Sequence, residues 1–552
     1  MRKGFFKKMA ALVLAVVTTM TMFTGCGGAG STSASTKSIT IQGGNTEGDL
    51  DPAGVALGMF IQYSRLCLEP LITYDSDGKV SKAMAESYEE SSDGLTWTFH
   101  LRKDAKWSDG SAVTSADFVN TIKRSLDGKT SKSIYADMLS PMAIPSAMLY
   151  IKGIAMRHRY AGTASVDNVG VTAPDDYTIE FKLVKPCSYF LKLIAMQCCY
   201  PSKAGIATNE NETWYTDPKT NLANGAFYMT EYVQGQYYKL KKNPNYYDAD
   251  KVYLEDITVK FIDDATAAVS AYKTNEVDFA TNLPAYVMSE YQGKSDLVLQ
   301  PNITTRFILF NVTKAPFNND KVRRAISMAL SRAEICKTVG DDYEASTQFI
   351  AKYMLSNLGT GKKFSDESGE MVTEDIAKAK SLLAEAGCPN GAGFPTVTYN
   401  YPNNEQDKLI AQAIQAQLKS ALNINVELNG MESQVCVSER KSGNFDMTRH
   451  NWTADYDDAM DYLLMWTSTS GLNDAGIKDA DYDKLCEDAT AELDETKRNT
   501  IMHDAEKLLV TDKAYVAPLA TNKTICLLNP KYTGYSFDSA GQILLKFIKA
   551  AE

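Results

Sequence analysis

Apolar and polar residues alternate cleanly along Leu95-Thr-Trp-Thr-Phe-His-Leu101. The alternation puts Leu95, Trp97, Phe99 and Leu101 on one face and predicts a half-buried strand. Thr114-Ser-Ala-Asp117 then fits a capping box, with Asp in place of Glu, and opens a helix through Phe118, Val119 and Ile122. Farther on, Val322, Ala325, Ile326, Ala329 and Leu330 recur at helical spacing and predict one helix from Asp320 to Thr338. Another helix, Asp375 to Ala386, is stopped by Gly387 and Pro389. Thr396 to Tyr401 reads as a strand. A helix follows through Leu409, Ile410, Ala413, Ile414 and Leu418, and then Ile424, Val426 and Leu428 alternate as a second strand. That order predicts a parallel crossover unit. Helical and strand signals are interspersed throughout, so the fold class is α/β, or mixed α+β. At 552 residues the chain exceeds the roughly 250–300 that one core serves, and two or three domains are expected.

The first residues follow another pattern. Arg2, Lys3, Lys7 and Lys8 precede an uncharged, mostly apolar run from Met9 to Met22. This is the layout of a secretory signal, and the run is too short for a permanent membrane helix. It ends at Phe23-Thr24-Gly25-Cys26, which resembles the bacterial lipobox apart from Phe23, where Leu is usual. The resemblance implies removal of residues 1–25 and a diacylglycerol on the Cys26 thiol. Residues 27–36 are Gly, Ala, Ser and Thr only, the composition of a flexible coil, so 26–36 is expected to be a lipid-anchored tether. Two acyl chains on one glycerol suffice for stable anchoring where one does not.

Charge and cysteine content narrow the function. The net charge is −11, and the leader holds four basic and no acidic residues, so the remainder carries −15. An acidic surface argues against nucleic acid and anionic lipid as partners. Of the ten cysteines, Cys26 leaves nine, an odd number without any C-x-x-C spacing. A zinc or thioredoxin-like site has no support, and these residues read as small buried hydrophobes. The motifs G-x-S-x-G, H-E-x-x-H and G-x-x-x-x-G-K-[ST] do not occur, which speaks against an enzyme. His100 falls on the polar face of its strand, His158 between arginines and His503 in a charged helix. The acidic run Asp455, Asp457, Asp458 and Asp461 lacks the glycine and distal Glu of a calcium loop. Asp457, Asp458 and Asp461 read as a solvated patch. No metal or cofactor is expected.

A longer set of segments carries a resemblance. It runs through Leu50-Asp51-Pro52, Glu69-Pro70-Leu71, Ala85-Glu86-Ser87-Tyr88, Ser92-Asp93-Gly94-Leu95 and Trp107-Ser108-Asp109-Gly110. It continues at Asn224-Gly225-Ala226-Phe227, Asn243-Pro244-Asn245-Tyr246-Tyr247, Pro316-Phe317-Asn318 and Val322-Arg323-Arg324-Ala325, and ends at Phe445-Asp446 to Tyr456. In this order they resemble the extracytoplasmic solute-binding proteins of family 5, the peptide- and nickel-binding group. Trp97 and Trp107 read as core, the Asp-Gly pairs as turns, and Arg323 and Arg324 as helix-surface or ion-pair residues.

The resemblance implies a two-lobed, periplasmic-binding-protein-like fold of the large peptide-binding type. Lobe I would comprise 37–68, 203–304 and 522–552, with 69–202 as an additional domain packed on it. Lobe II would be 305–521. The segment Arg449-His-Asn-Trp452-Thr-Ala-Asp455 resembles the pattern by which oligopeptide-binding members hold their ligand. On that pattern Asp455 pairs with the ligand α-ammonium, Arg449 lies toward the carboxylate end and Trp452 forms an aromatic wall. Backbone groups of Asn451 and Thr453 take the peptide as an added strand. His450 is the one histidine near this segment. The implied protein is a monomeric lipoprotein on the outer face of a bacterial cytoplasmic membrane, delivering oligopeptides to the permease subunits of an ABC importer. The same fold binding a metal chelate, haem or a sugar is the alternative, and a surface sensor or adhesin without transport is one of another class.

Overall fold

The computed structural model describes residues 37–44, 50–54, 59–75, 79–127, 133, 169–211, 213–340, 342–356, 359–537 and 543–551. The leader, Cys26, the tether and His158 lie outside the described residues. Three larger sheets organise the described part. The first has the spatial order Leu297–Gln300, Thr524–Leu528, Phe279–Ala280, Ser38–Gly43, Asp256–Phe261, Tyr237–Lys242 and Phe227–Val233. The second runs Tyr343–Ala345, Val516–Asn522, Thr304–Phe310, Met447–Thr453, Val397–Pro402 and Val426–Met431. The third is antiparallel: Ala85–Glu90, Thr96–Leu101, Thr178–Lys182 and Val171–Asp175.

The chain passes from the first sheet to the second through residues 301–303 and returns through Lys523. The two passages lie side by side. Asn302 Nδ2 donates to Thr524 Oγ1 (3.3 Å) and Thr521 Oγ1 to the Thr304 carbonyl (2.8 Å). The layer formed by the third sheet touches both halves. Arg124, from its helix Ser115–Leu126, grips Asp51 with two bonds of 2.6 and 2.7 Å. On the other side Tyr189 stacks on Tyr456 (5.6 Å between ring centres) and Ser188 Oγ donates to the Ala489 carbonyl (3.2 Å).

Strand Thr96–Leu101 buries Trp97, Phe99 and Leu101, and Trp107 is fully buried, as the pattern predicts. Asp117 serves as the expected cap. Its Oδ2 accepts from Thr114 N–H (2.9 Å) and Trp107 Nε1 (2.9 Å), and its Oδ1 from Ala204 N–H (2.8 Å). The crossover unit is also present: Val397–Pro402 and Val426–Met431 pair in parallel, joined by helix Glu405–Leu422. Helix Ile376–Glu385 has Asp375 as its N-cap. The described cysteines form no disulfide, and all but the half-buried Cys388 are buried. Among the described residues no helix is long and apolar enough to cross a membrane.

Two expectations are corrected. The single helix from Asp320 to Thr338 is two helices, Asp320–Ala329 and Arg332–Lys337. The break follows from a tertiary contact: Gln417 accepts from Ser331 N–H (2.8 Å) and donates to the Ser331 carbonyl (3.2 Å), replacing the helical partners. Arg323 is neither a surface nor an ion-pair residue. It is buried and donates to the carbonyls of Phe317, Lys513 and Ala514. Arg324 does meet Asp320, at 3.9 Å.

Candidate functional site

Strand Met447–Thr453 is paired unequally on its two sides. Toward Thr304–Phe310 the antiparallel register is complete, from Thr304↔Thr453 to Phe310↔Met447. Toward Val397–Pro402 it holds only at Tyr399↔Met447 and Asn400↔Thr448, whereas that strand pairs with Val426–Met431 along its whole length. Residues 449–453 therefore present an edge with no strand partner among the described residues. Ala454 N–H donates to Ile303 O (3.1 Å) and Asn311 N–H to Asp446 O (3.0 Å), which turns the even-numbered backbone groups toward Thr304–Phe310. Backbone groups alternate along a strand, so those of Arg449, Asn451 and Thr453 face the open edge.

One end of this edge is cationic. Arg449 Nε donates to Asp407 Oδ1 (3.1 Å), and Arg306 Nη1 reaches the same oxygen at 2.5 Å. Asn404 Nδ2 takes the other oxygen (2.8 Å), and Arg449 Nη1 also bonds Asn451 Oδ1 (2.5 Å). Two guanidiniums thus share one carboxylate, leaving a net charge of +1. Burial lowers the Arg449 pKa, and the Arg306 charge lowers it further. Sequence reasoning missed Arg306 and Asp407. An Asp in the first turn of a helix is unremarkable by itself, and only the fold carries residue 306 beside 449.

Asp455 stands half-buried at the opposite end. Asp461 Oδ2 accepts from its backbone N–H (3.1 Å) and from Trp452 Nε1 (2.7 Å). Trp452 is on the other face of the sheet from Arg449 and Asn451. The structure thus groups Arg449 with Asn451, and Trp452 with Asp455, while Thr453 bonds Thr304 through the hydroxyls (2.6 Å). His450 is buried and stacks on Phe307 at 4.9 Å. Its pKa is well below the usual value through burial, then the charges of Arg440 and Arg449, so it is a neutral core residue.

The acidic run is not the solvated patch expected. Asp457, Asp458 and Asp461 are all buried. Asp458 holds Arg498 with bonds of 2.8 and 3.0 Å, and Lys192 Nζ lies 3.4 Å from Asp457. Their counter-charges come from residues distant in sequence. Among the described residues no group of three or more His, Cys, Asp or Glu could hold a metal ion.

Comparison with known proteins gives the family and the fold. The model of the family described as bacterial extracellular solute-binding proteins, family 5 Middle, matches residues 79–474. The dipeptide-binding protein DppE of Bacillus subtilis is 30% identical over 484 residues, 87% of this chain and 86% of that one. The probable deoxycholate-binding periplasmic protein YgiS of Escherichia coli is 30% identical over 494 residues, 88% of each. The unliganded open form of the murein tripeptide-binding protein MppA matches with a TM-score of 0.76 and 27% identity, over 94% of this chain and 98% of that one. With its mixed α/β, two-lobed fold, the chain belongs to the bacterial extracellular solute-binding proteins of family 5.

Proposed function

We propose that this protein captures oligopeptides between its two lobes and delivers them to an ABC importer. The observation that carries the reading is the open edge at 449–453, with a carboxylate at one end and a net cation at the other. A peptide offers the complement: an ammonium, a carboxylate and a row of amides. Strand addition satisfies the amides without regard to side chains. In this reading Asp455 takes the α-ammonium, Arg449 faces the carboxylate end, Trp452 walls the amine end, and Asn451 and Thr453 bond the ligand backbone. The names of DppE and MppA, a dipeptide and a murein tripeptide binder, support it. Calorimetry with trialanine and N-acetyl-trialanine tests the amine contact. The free amine should bind at least tenfold tighter, since losing one partner of a buried pair costs about 2–5 kcal/mol. Equal affinities would refute the pairing.

We also infer the lobe boundaries: 37–68, 203–304 and 522–552 as lobe I, 69–202 as its additional domain and 305–521 as lobe II. The passages at 301–303 and Lys523 support them. The protein acts as a monomer and catalyses nothing. Residues 1–25 are its signal peptide, and a lipid on Cys26 holds it to the outer face of the cytoplasmic membrane by the 26–36 tether. A Cys26→Ala variant should leave the membrane fraction; its retention there would contradict the anchor.

A further inference from the structure

The layer built on the third sheet is tied to the first half of the molecule by the Arg124–Asp51 pair, and the chain enters and leaves it from that half. It meets the other half, 305–521, through residues 188–192. Ser188 caps the far end of helix Ala480–Ala491, whose last carbonyls have no partner within the helix. Its N–H donates to the Thr490 carbonyl (3.2 Å), and its hydroxyl reaches the Ala489 and Thr490 carbonyls (3.2 Å each). Tyr189 and Tyr456 are both buried and stack almost parallel, with 10° between the ring planes. The Arg498 guanidinium, held by Asp458, stands 5.7 Å from the Tyr189 ring centre. Lys192 rests its ammonium on the Tyr74 ring (3.9 Å) and meets Asp457 at 3.4 Å. These two side chains are 11% and 6% exposed, so salt screens the pair little.

We propose that residues 188–192 are a latch: they close the 69–202 layer onto lobe II and so set how tightly any peptide is held. The inference rests on the reading of two lobes that close over a peptide. In that reading the layer travels with lobe I. The contacts of 188–192 with lobe II then lie across the hinge at 301–303 and Lys523, and they break when the lobes part. An ion pair, a ring stack and a hydroxyl cap have the character of an interface that opens, not of a fused core. They favour the closed state before a peptide arrives, so the ligand has less of the cost of closure to supply. The pair, the stack and the cap complete one another within the protein, so the gain is the same for every peptide.

Small-angle scattering of the peptide-free protein tests the latch first. Lys192→Met keeps the aliphatic stem and Ser188→Ala removes only the hydroxyl; both should raise the radius of gyration above that of wild type. In calorimetry, Lys192→Met should weaken trialanine and N-acetyl-trialanine by the same factor, about 5- to 30-fold. A loss for trialanine alone would move Lys192 to the amine contact and overturn the inference. So would unchanged radii of gyration in both variants. Amide exchange in wild type needs no variant to fold. Saturating trialanine should slow exchange severalfold at the Ser188 N–H, which is bonded across the latch. The Leu101 N–H, bonded to the Tyr177 carbonyl inside the layer, should not change. Bound trialanine without slowing at Ser188 would mark a permanent joint and overturn the latch. If no peptide bound, the peptide reading would fall, while the radii of gyration would still decide the latch.

Discussion

Glu506 is fully buried, with Oε1 accepting from the backbone N–H groups of Phe349 (2.8 Å) and Ile350 (2.8 Å) and Oε2 enclosed without a hydrogen-bond partner among the described residues. Burial outweighs the two bonds and pushes its pKa up to about 7. A carboxyl whose folded pKa is raised stabilises the fold in its neutral form. That contribution is complete below the unfolded value near 4.5 and is lost as pH rises through about 7. Urea unfolding should therefore show stability falling between pH 5 and 8, by on the order of 2–3 kcal/mol. Glu506→Gln, which still accepts both N–H bonds, should remove most of that slope; an unchanged slope would exclude Glu506 as its source. Such residues are hard to read from sequence. Glu506 occurs in a helix of charged appearance, and Asp457 and Asp458 in an acidic run. What buries them is a loop near 350 in one case and Lys192 and Arg498 in the other.

Elements were more legible where local pattern and burial agree. The alternation at Thr96–Leu101, the Asp117 cap and the parallel unit of 397–431 follow from spacing and cap chemistry alone. The helix beginning at Asp320 was misread past Ala329 because Gln417, on another helix, competes for Ser331. The segment 449–455 resembles a ligand-binding pattern, and the proposed physical basis for it is a strand edge left open where Val397–Pro402 diverges. That divergence has no local signal. It depends on which neighbour the diverging strand follows. The cationic end belongs to this scale too, since Thr304–Phe310 brings Arg306 to the Arg449–Asp407 pair. Arg306→Gln cancels the net charge. It should weaken binding of free-carboxylate peptides about 5- to 30-fold, roughly 1–2 kcal/mol, and leave C-terminally amidated peptides unaffected. Equal losses for both would assign Arg306 to folding alone.

At the scale of the whole molecule, two side-by-side passages join the sheets, an arrangement suited to hinge closure over a ligand. A ligand that bridges both lobes favours the closed state by its differential affinity for it. The bridge claimed is a peptide laid on the open edge, and amide hydrogen exchange reads that edge directly. The Asn451 and Thr453 N–H groups face it, whereas the Trp452 N–H is turned toward Thr304–Phe310 and serves as an internal control. Saturating trialanine should slow exchange at Asn451 and Thr453 severalfold more than at Trp452. Calorimetric binding of the same peptide with exchange at Asn451 and Thr453 unchanged would contradict the account.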